Sequence, residues 1–430
     1  MENKNAKSNF GKMGWALVIY CLLSYFIFSS GNCTMNMAVG AFESMYGWDQ
    51  TYLLSLSSIG GWVAIIFIYL CGQLYAKGKL NIRILILVSG VLYSIGIFLW
   101  GQVNNLTVFT VVFICMYIVY PLWGTMANNA LCNNWFPHKK GVVIGWTTIG
   151  FPLGAGMGAV LFGVLNEKVG FSNTYLIFGI AALAICLFGF FMFTEYPEQR
   201  GCFPDNDKSM TTEQAQAELA AGQKMLLNSP WTTKRLLKTK EVWLIGIGNS
   251  YLLMLSAGAM GTMIPRLLAS GRYSADQAMM LMMVAAFSAC PGSYLCGYLD
   301  AKTSPKTALI ITNICCVAAC ILNVIPNTPA LIVSLVLIGV GTGGSANFIM
   351  SMTSEYWGRY NFQKAYGTVL TINQLVGSAG PVLMAVAASK FNWDVSYIIM
   401  GVLAVLATLL VLPIKDGFVE RAEERFAKEN

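Results

Sequence analysis

Charge is scarce in this 430-residue chain, at 11% of residues. A soluble globular domain carries roughly 25%, so the deficit argues against a water-soluble protein. Histidine is nearly absent: His138 stands alone, without companions at ligand spacing. No C-x-x-C pair occurs among the twelve cysteines, nearly all of which lie in apolar stretches as small packing residues. Metal and cofactor chemistry therefore have no candidate. Nucleotide loops are missing too, since in "NNWFPHKKGVVIGWTTIGFPLGAG" (133–156) the lysine pair precedes the glycines. A phosphate loop wants Gly-Lys-Ser/Thr or G-x-G-x-x-G after a strand. With no nucleophile–base pair either, an enzyme and an ATP-driven pump both lack support. A secretory signal is also unsupported, because 14–39 is too long for its apolar core.

Apolar sequence takes the place of what is missing. Hydrophobic residues make up 56% of the chain, and mean hydropathy is +0.60. A bilayer-crossing helix needs about 20 mostly apolar residues. Twelve runs qualify: 15–38, 52–76, 84–101, 106–132, 142–165, 174–194, 242–264, 277–299, 308–326, 329–353, 365–388 and 395–413. Helices are implied, since an open strand leaves its backbone unpaired in lipid. None of these runs contains Asp, Glu, Lys, Arg or His. The chain reads as an all-α integral membrane protein with divisions at 1–194, 195–241 and 242–430.

Net charge is +7, but the basic residues are scattered between apolar runs, which excludes nucleic acid as partner. With the N-terminus inside, all but four of the 27 lysines and arginines fall on the cytoplasmic side; the four are Lys168, Arg266, Arg272 and Lys390. The positive-inside rule selects this topology, with both termini cytoplasmic in a plasma (inner) membrane. Lys139–Lys140 is then the anchor between spans four and five. The 195–241 connection is polar and reads as a solvated linker. Thr211 and Gln214 form a capping box there, and Ser229–Pro230 signals a second helix leading into span seven.

The halves echo each other. "GQLYAK" (72–77) and "GYLDAK" (297–302) share G-x-L-x-A-K, marking Gly72, Lys77, Gly297, Asp300 and Lys302. Trp135 precedes Gly145 by ten residues, as Trp357 precedes Gly367. A six-plus-six duplication is a secondary-transporter architecture, with substrate held near the midplane.

These motifs resemble those of the major facilitator superfamily over essentially the whole chain. "GQLYAKGKLNIR" is similar to its G-x-L-x-D-R-x-G-R-K loop. "NNWFPHKKGVVIGWTTIGFPLGAG" and "LLKTKEVWLI" resemble the oxalate/formate exchanger and monocarboxylate-transporter branch. The resemblance implies twelve helices in two pseudo-symmetric six-helix bundles. These would rock about a cavity lined mainly by spans one, four, seven and ten. Two departures stand out. Ala76 replaces the loop's acid, and spans eight and eleven lack the buried basic residues with which oxalate-type carriers hold a dianion.

Polar residues inside the spans mark the expected cavity. Tyr25, Ser29, Asn32 and Asn36 share one face of span one. Span four carries Tyr117, Tyr120, Trp123, Gly124 and Asn128; span seven carries Asn249 and Tyr251. Ser345 and Asn347 follow in span ten, Asn373 and Gln374 in span eleven. Arg266, after Pro265 at the outer end of span seven, is a candidate for a carboxylate, with Glu43 and Asp49 as its partners. Gly150, Gly154 and Gly158, four residues apart, suit close packing and bending.

Together these features predict a carrier for a small organic acid, monocarboxylate-like and working by alternating access. A co- or counter-transported ion or metabolite fits, and nothing demands more than a monomer. A larger amphipathic, aromatic or sterol acid is the alternative within transport. A transporter-like solute sensor is the alternative from another class.

Overall fold

The computed structural model describes residues 10–207 and 209–428. Within its helices, the side chains at 32–37, 39, 40, 50, 51, 54, 55, 57, 58, 76, 159, 275 and 276 lie outside the described residues. The apolar runs fold as helices α1 (Gly11–Tyr46), α2 (Gln50–Ala76), α3 (Ile82–Trp100) and α4 (Leu106–Pro121). Next come α5 (Asn128–Trp135), α6 (Lys140–Thr147), α7 (Gly150–Val169) and α8 (Phe171–Met192). The connection holds α9 (Thr212–Leu227) and α10 (Thr233–Lys238). The second half comprises α11 (Lys240–Ala269), α12 (Ala275–Lys302), α13 (Pro305–Val324) and α14 (Thr328–Gly344). It ends with α15 (Asn347–Gly377), α16 (Gly380–Lys390), α17 (Trp393–Val411) and α18 (Phe418–Lys428).

Asp49, Asn81, Asn105, Ser274, Ser304, Asn327 and Asn392 start the helices that begin at the aqueous faces. Each side chain accepts a first-turn N–H. Such a cap is worth about 1 kcal/mol.

Nine helical stretches among the described residues are long and apolar enough to span a bilayer. The difference from twelve runs lies in how breaks divide them. The stretch Thr328–Lys390 would measure about 95 Å as one helix at ~1.5 Å per residue, three times the hydrocarbon core. Gly358, at φ +65° and ψ −176°, turns it back on itself, so it crosses twice. The bent pair Lys140–Gly158 and Val160–Val169 supplies one more crossing, and α2, apolar over Ile59–Tyr75, another.

Packing repeats between the halves. In the first, α1 lies on α7, α3 on α8 and α2 on α4; in the second, α11 lies on α15 and α16, α13 on α17 and α12 on α14. These are two bundles of one design. They meet where α12 crosses α6 and α7, and where α2 crosses α15.

The run of Gly150, Gly154 and Gly158 faces α1. A Cβ at the first two would strike the carbonyl oxygens of Leu22 and Phe26, and at the third the Ser30 side chain. Tight α1–α7 packing is what these glycines serve.

Regular helix fails at mid-span in four places. Pro121 has no N–H, and a π-turn, Leu122–Ala127, follows it. Breaks fall between α6 and α7, at Ser345–Ala346 between α14 and α15, and at Ser378–Ala379 between α15 and α16. The apolar pattern runs through all four and predicts none of them.

The connection is less free than a solvated linker. Its capping box forms as expected, with Gln214 N–H on Thr211 Oγ1 and Thr211 N–H on Gln214 Oε1. The second helix instead starts at Thr232, whose hydroxyl accepts the Arg235 N–H, one turn later than Ser229–Pro230. Gly222 of α9 packs on the Tyr360 ring. Trp231 is buried against Trp357 and Phe426, donating to Glu423 at 2.6 Å. The amphipathic α18 thus pins the connection to the second bundle. Connection, α18 and Phe10 share one side, called here the linker face.

Candidate transport site

A cavity of about 320 Å³ lies between the bundles at the level of the helix breaks. Its two walls differ in chemistry. On the first bundle Phe28 and Tyr120 stack at 3.4 Å between ring centroids and 14° between planes. Tyr117 stacks on Tyr120 at 5.8 Å, and Phe113 on Tyr117 at 4.9 Å. The second bundle offers Ser345, Asn373, Gln374 and Ser378. Among the described lining residues there is no Asp, Glu, Lys, Arg or His.

Of the residues singled out in the sequence, Tyr25, Tyr117, Tyr120, Ser345, Asn373 and Gln374 come together on this cavity. Tyr25 forms part of its floor: its hydroxyl donates to Asn129 Oδ1 at 3.0 Å, and Asn129 Nδ2 donates to Tyr366 of the other bundle at 2.6 Å.

Six others sit elsewhere. Trp123 donates to Tyr20, and Asn128 donates to Ser24 and the Gly124 carbonyl, inside the first bundle. Asn249, on Ile245 O and Met352 Sδ, and Tyr251 are buried inside the second. Asn347 lies in the bundle seam, accepting from Thr148 at 2.6 Å and donating to Ser293 O at 3.0 Å. Arg266 lies at the far face, where Asp394 Oδ1 at 2.6 Å and Asn323 O at 3.2 Å take its guanidinium. Asp49 caps α2. Helical spacing puts polar residues on one face without telling which side that face meets, the cavity or its own bundle. That ambiguity accounts for where these six lie. The side chains of Asn32 and Asn36 lie outside the described residues.

The linker face is closed. Two glycine crossings bring the bundles together: a Cβ at Gly72 would come within 3.1 Å of Gly367 Cα, and one at Gly297 within 2.7 Å of Gly145 Cα. These are the same glycines that the repeat marks, and each G-x-L-x-A-K glycine meets the one ten residues after a tryptophan in the opposite half.

Polar bonds reinforce the closure. Lys140 pairs with Glu355 at 2.9 Å. Arg359 binds both oxygens of buried Glu198, at 2.7 and 3.0 Å, and donates to Asn134 O. Asn133 donates to Arg359 O at 2.9 Å and accepts from Ser354. Lys139 is held on the connection, its N–H and Nζ both on Asp205. Asp300 is buried beside Gly141, while Lys77 and Lys302 are exposed, the latter over the Tyr298 ring.

Sequence reasoning missed Asn129, Asn133, Asn134, Glu198 and Arg359. The asparagine run inside an apolar span was the available signal. Nearby, Glu195 is pushed up to about 7 by burial, against the lowering effect of the Ile82 N–H and the Tyr75 hydroxyl.

The Major Facilitator Superfamily profile matches residues 122–322 and 252–429, and the chain belongs to that superfamily. It is 24% identical over 292 residues to the gentisate transporter of Corynebacterium glutamicum, covering 65% of this chain and 61% of that one. It is 20% identical over 298 residues to the uncharacterized MFS-type transporter YhjX of Escherichia coli, covering 68% of each. A 113-residue stretch is 27% identical to human sodium-dependent phosphate transport protein 1, of which the match spans 23%. The fold resembles the proton:xylose symporter XylE, with TM-score 0.74, 13% identity and coverage of 93% and 95%. It also resembles the human organic anion transporter MFSD10, with TM-score 0.69, 15% identity and coverage of 92% and 99%. The chain is thus a multi-pass membrane transporter and not an enzyme.

Proposed function

We infer that this transporter is a secondary carrier of a small organic acid, monocarboxylate-like, working by alternating access. The observation carrying this reading is the uncharged central cavity shut on one face by bundle-crossing bonds. Those bonds join residues 72–148 and 198 to residues 293–367, on the linker side of the cavity. Away from those bonds the cavity lining runs to Trp62, Ile65, Pro381 and Val382, and Trp62 and Val382 are exposed. We take the linker face as cytoplasmic, from the distribution of basic residues. The bundles then comprise 1–194 and 242–430, joined by 195–241, with both termini inside.

A cavity of this size, near the lower end of the ~300–1,000 Å³ of small-molecule sites, suits a small acid better than a sterol acid. The oxalate-type dianion is disfavoured by the absence of a fixed cation on the wall. Uptake of labelled acids into proteoliposomes, with and without internal counter-substrate, tests the reading. Saturable flux is expected; saturable binding without flux would mean a sensor.

A further inference from the structure

The cavity's two unlike walls narrow the ligand further. The second-bundle wall is built at two helix breaks, where α14 gives way to α15 and α15 to α16. A break exposes both carbonyl oxygens of the helix that ends and N–H groups of the helix that begins. Here the two sets fare differently. Thr342 O already accepts the Ser345 N–H and hydroxyl. Gln374 O accepts the Ser378 N–H and hydroxyl, and Val376 O accepts the Ala379 N–H. These three carbonyl oxygens are thus occupied. The starts of α15 and α16, with Ala346 and Ala379 at their N-caps, receive no side-chain cap.

A separate observation points the same way. Asn373 lines the cavity, is 2% exposed, and its Nδ2 has no hydrogen-bond partner. A buried amide donor left unpaired is costly. The wall therefore combines two uncapped helix starts with an amide whose donor has no other partner, without any fixed charge, an arrangement that suits an anionic group. Facing it, the Phe28–Tyr120–Tyr117 stack is a surface for a flat ring. An organic cation would also suit aromatic faces, but the opposite wall offers it no free carbonyl among those named.

We propose that the cavity takes a planar aromatic monocarboxylate, its ring against the Phe28–Tyr120–Tyr117 wall and its carboxylate toward Asn373 and the uncapped starts of α15 and α16. This rests on the carrier reading above and narrows its substrate class. The similarity to a gentisate transporter is compatible with it, at an identity too low to carry it.

The test uses the full chain in proteoliposomes and in detergent. Labelled benzoate uptake is competed with cyclohexanecarboxylate, which keeps the charge but loses the flat ring, and with benzamide, which keeps the ring but loses the charge. Each competitor is expected to be weaker than benzoate by about tenfold or more. Asn373→Leu should raise the benzoate half-saturation by a similar factor, and Asn373→Gln should restore part of it. Either competitor matching benzoate, or Asn373→Leu leaving half-saturation unchanged, overturns the proposal. Lactate flux without any benzoate response would sink the ring assignment and leave the carrier reading standing. Benzoate raising the thermal midpoint in detergent while no acid crosses the bilayer would do the reverse.

Discussion

Adding a single methyl group at Gly297 should open the linker face. Its Cβ would sit 2.7 Å from Gly145 Cα and 3.0 Å from Gly145 N, and it would also strike the Gly141 carbonyl. Ordinary Cβ contacts begin at 3.4 Å, and the atoms in the way are backbone, with no rotamer to yield. Helices α12 and α6 must then part by about 1 Å, with an overpacking cost of ~1–3 kcal/mol. That cost falls only on the closed arrangement, because rocking separates the two glycines. The closed population should drop by a factor of roughly 5–150 relative to the open one. At Gly72 the corresponding approach is 3.1 Å to Gly367 Cα, so Gly72→Ala should act in the same direction but less.

Spin labels on the exposed loops at Lys79→Cys and Thr303→Cys would report the distance across this face. Accessible native cysteines would first be replaced by serine. Gly297→Ala should lengthen the main distance, Gly72→Ala should broaden it, and Gly163→Ala, with nothing within 4 Å, should leave it alone. A stable Gly297→Ala protein with an unchanged distance distribution would refute the idea that glycine contact permits closure.

Other perturbations follow from the same face and its surroundings. Arg359→Ala strands buried Glu198, at a cost of about 3–5 kcal/mol, and should abolish counterflow exchange; Arg359→Lys should not rescue it, since an ammonium cannot span both carboxylate oxygens and Asn134 O. Glu195 holds its proton longer folded than unfolded, so thermal stability should fall as pH rises from about 4.5 through about 7, and Glu195→Gln should flatten that slope in a melting series. Arg266→Gln should lower the melting temperature by loosening Asp394 while leaving substrate half-saturation unchanged; a selective loss of anion affinity would return Arg266 to the transport route.

Much of the architecture was legible because lipid imposes a simple rule. Backbone pairing and a fixed thickness turn apolar length into crossings, and the repeat in "GQLYAK" and "GYLDAK" exposed the duplication. The same repeat named the closure, since Gly72 and Gly297 each meet a glycine that a matching tryptophan spacing had marked. The site was harder to read. Tyr25, Tyr117, Tyr120, Ser345, Asn373 and Gln374 reach the cavity, but Trp123, Asn128, Asn249 and Tyr251 follow the same polar-in-apolar logic and turn into their own bundles. Sequence spacing fixes angles around one helix axis and says nothing about that helix's rotation against its neighbours. Breaks leave no mark in the apolar pattern, and their trace lies in the prolines and glycines beside them. Pro121, Pro152 and Pro381 each lack the N–H that would carry the helix across the break beside them, and Ser345–Ala346 follows the glycine-rich "GTGG" (341–344).

The breaks also connect the cavity to its closure. Thr148, at the break between α6 and α7, donates to Asn347 at the start of α15 and lies within bonding distance of Ser293 on α12. This three-way knot stands between the Gly145·Gly297 crossing and the cavity. The α7–α12 contact continues past it to Gly156 and Phe287. Across the molecule, the Tyr25–Asn129–Tyr366 chain and the Gly72·Gly367 crossing close the other seam. Beyond it the cavity lining includes the exposed Trp62 and Val382. One seam is therefore held over much of its length and the other only near the linker face. Rocking about the Thr148 knot parts the glycine crossings on its linker side, and on the other seam the crossing bond beside the cavity is Asn129 Nδ2 to Tyr366, with Tyr25 holding Asn129 from the cavity floor. A ligand that draws the Tyr25 hydroxyl away from Asn129 would loosen the closure, which gives occupancy of the cavity a direct route to the face that must open.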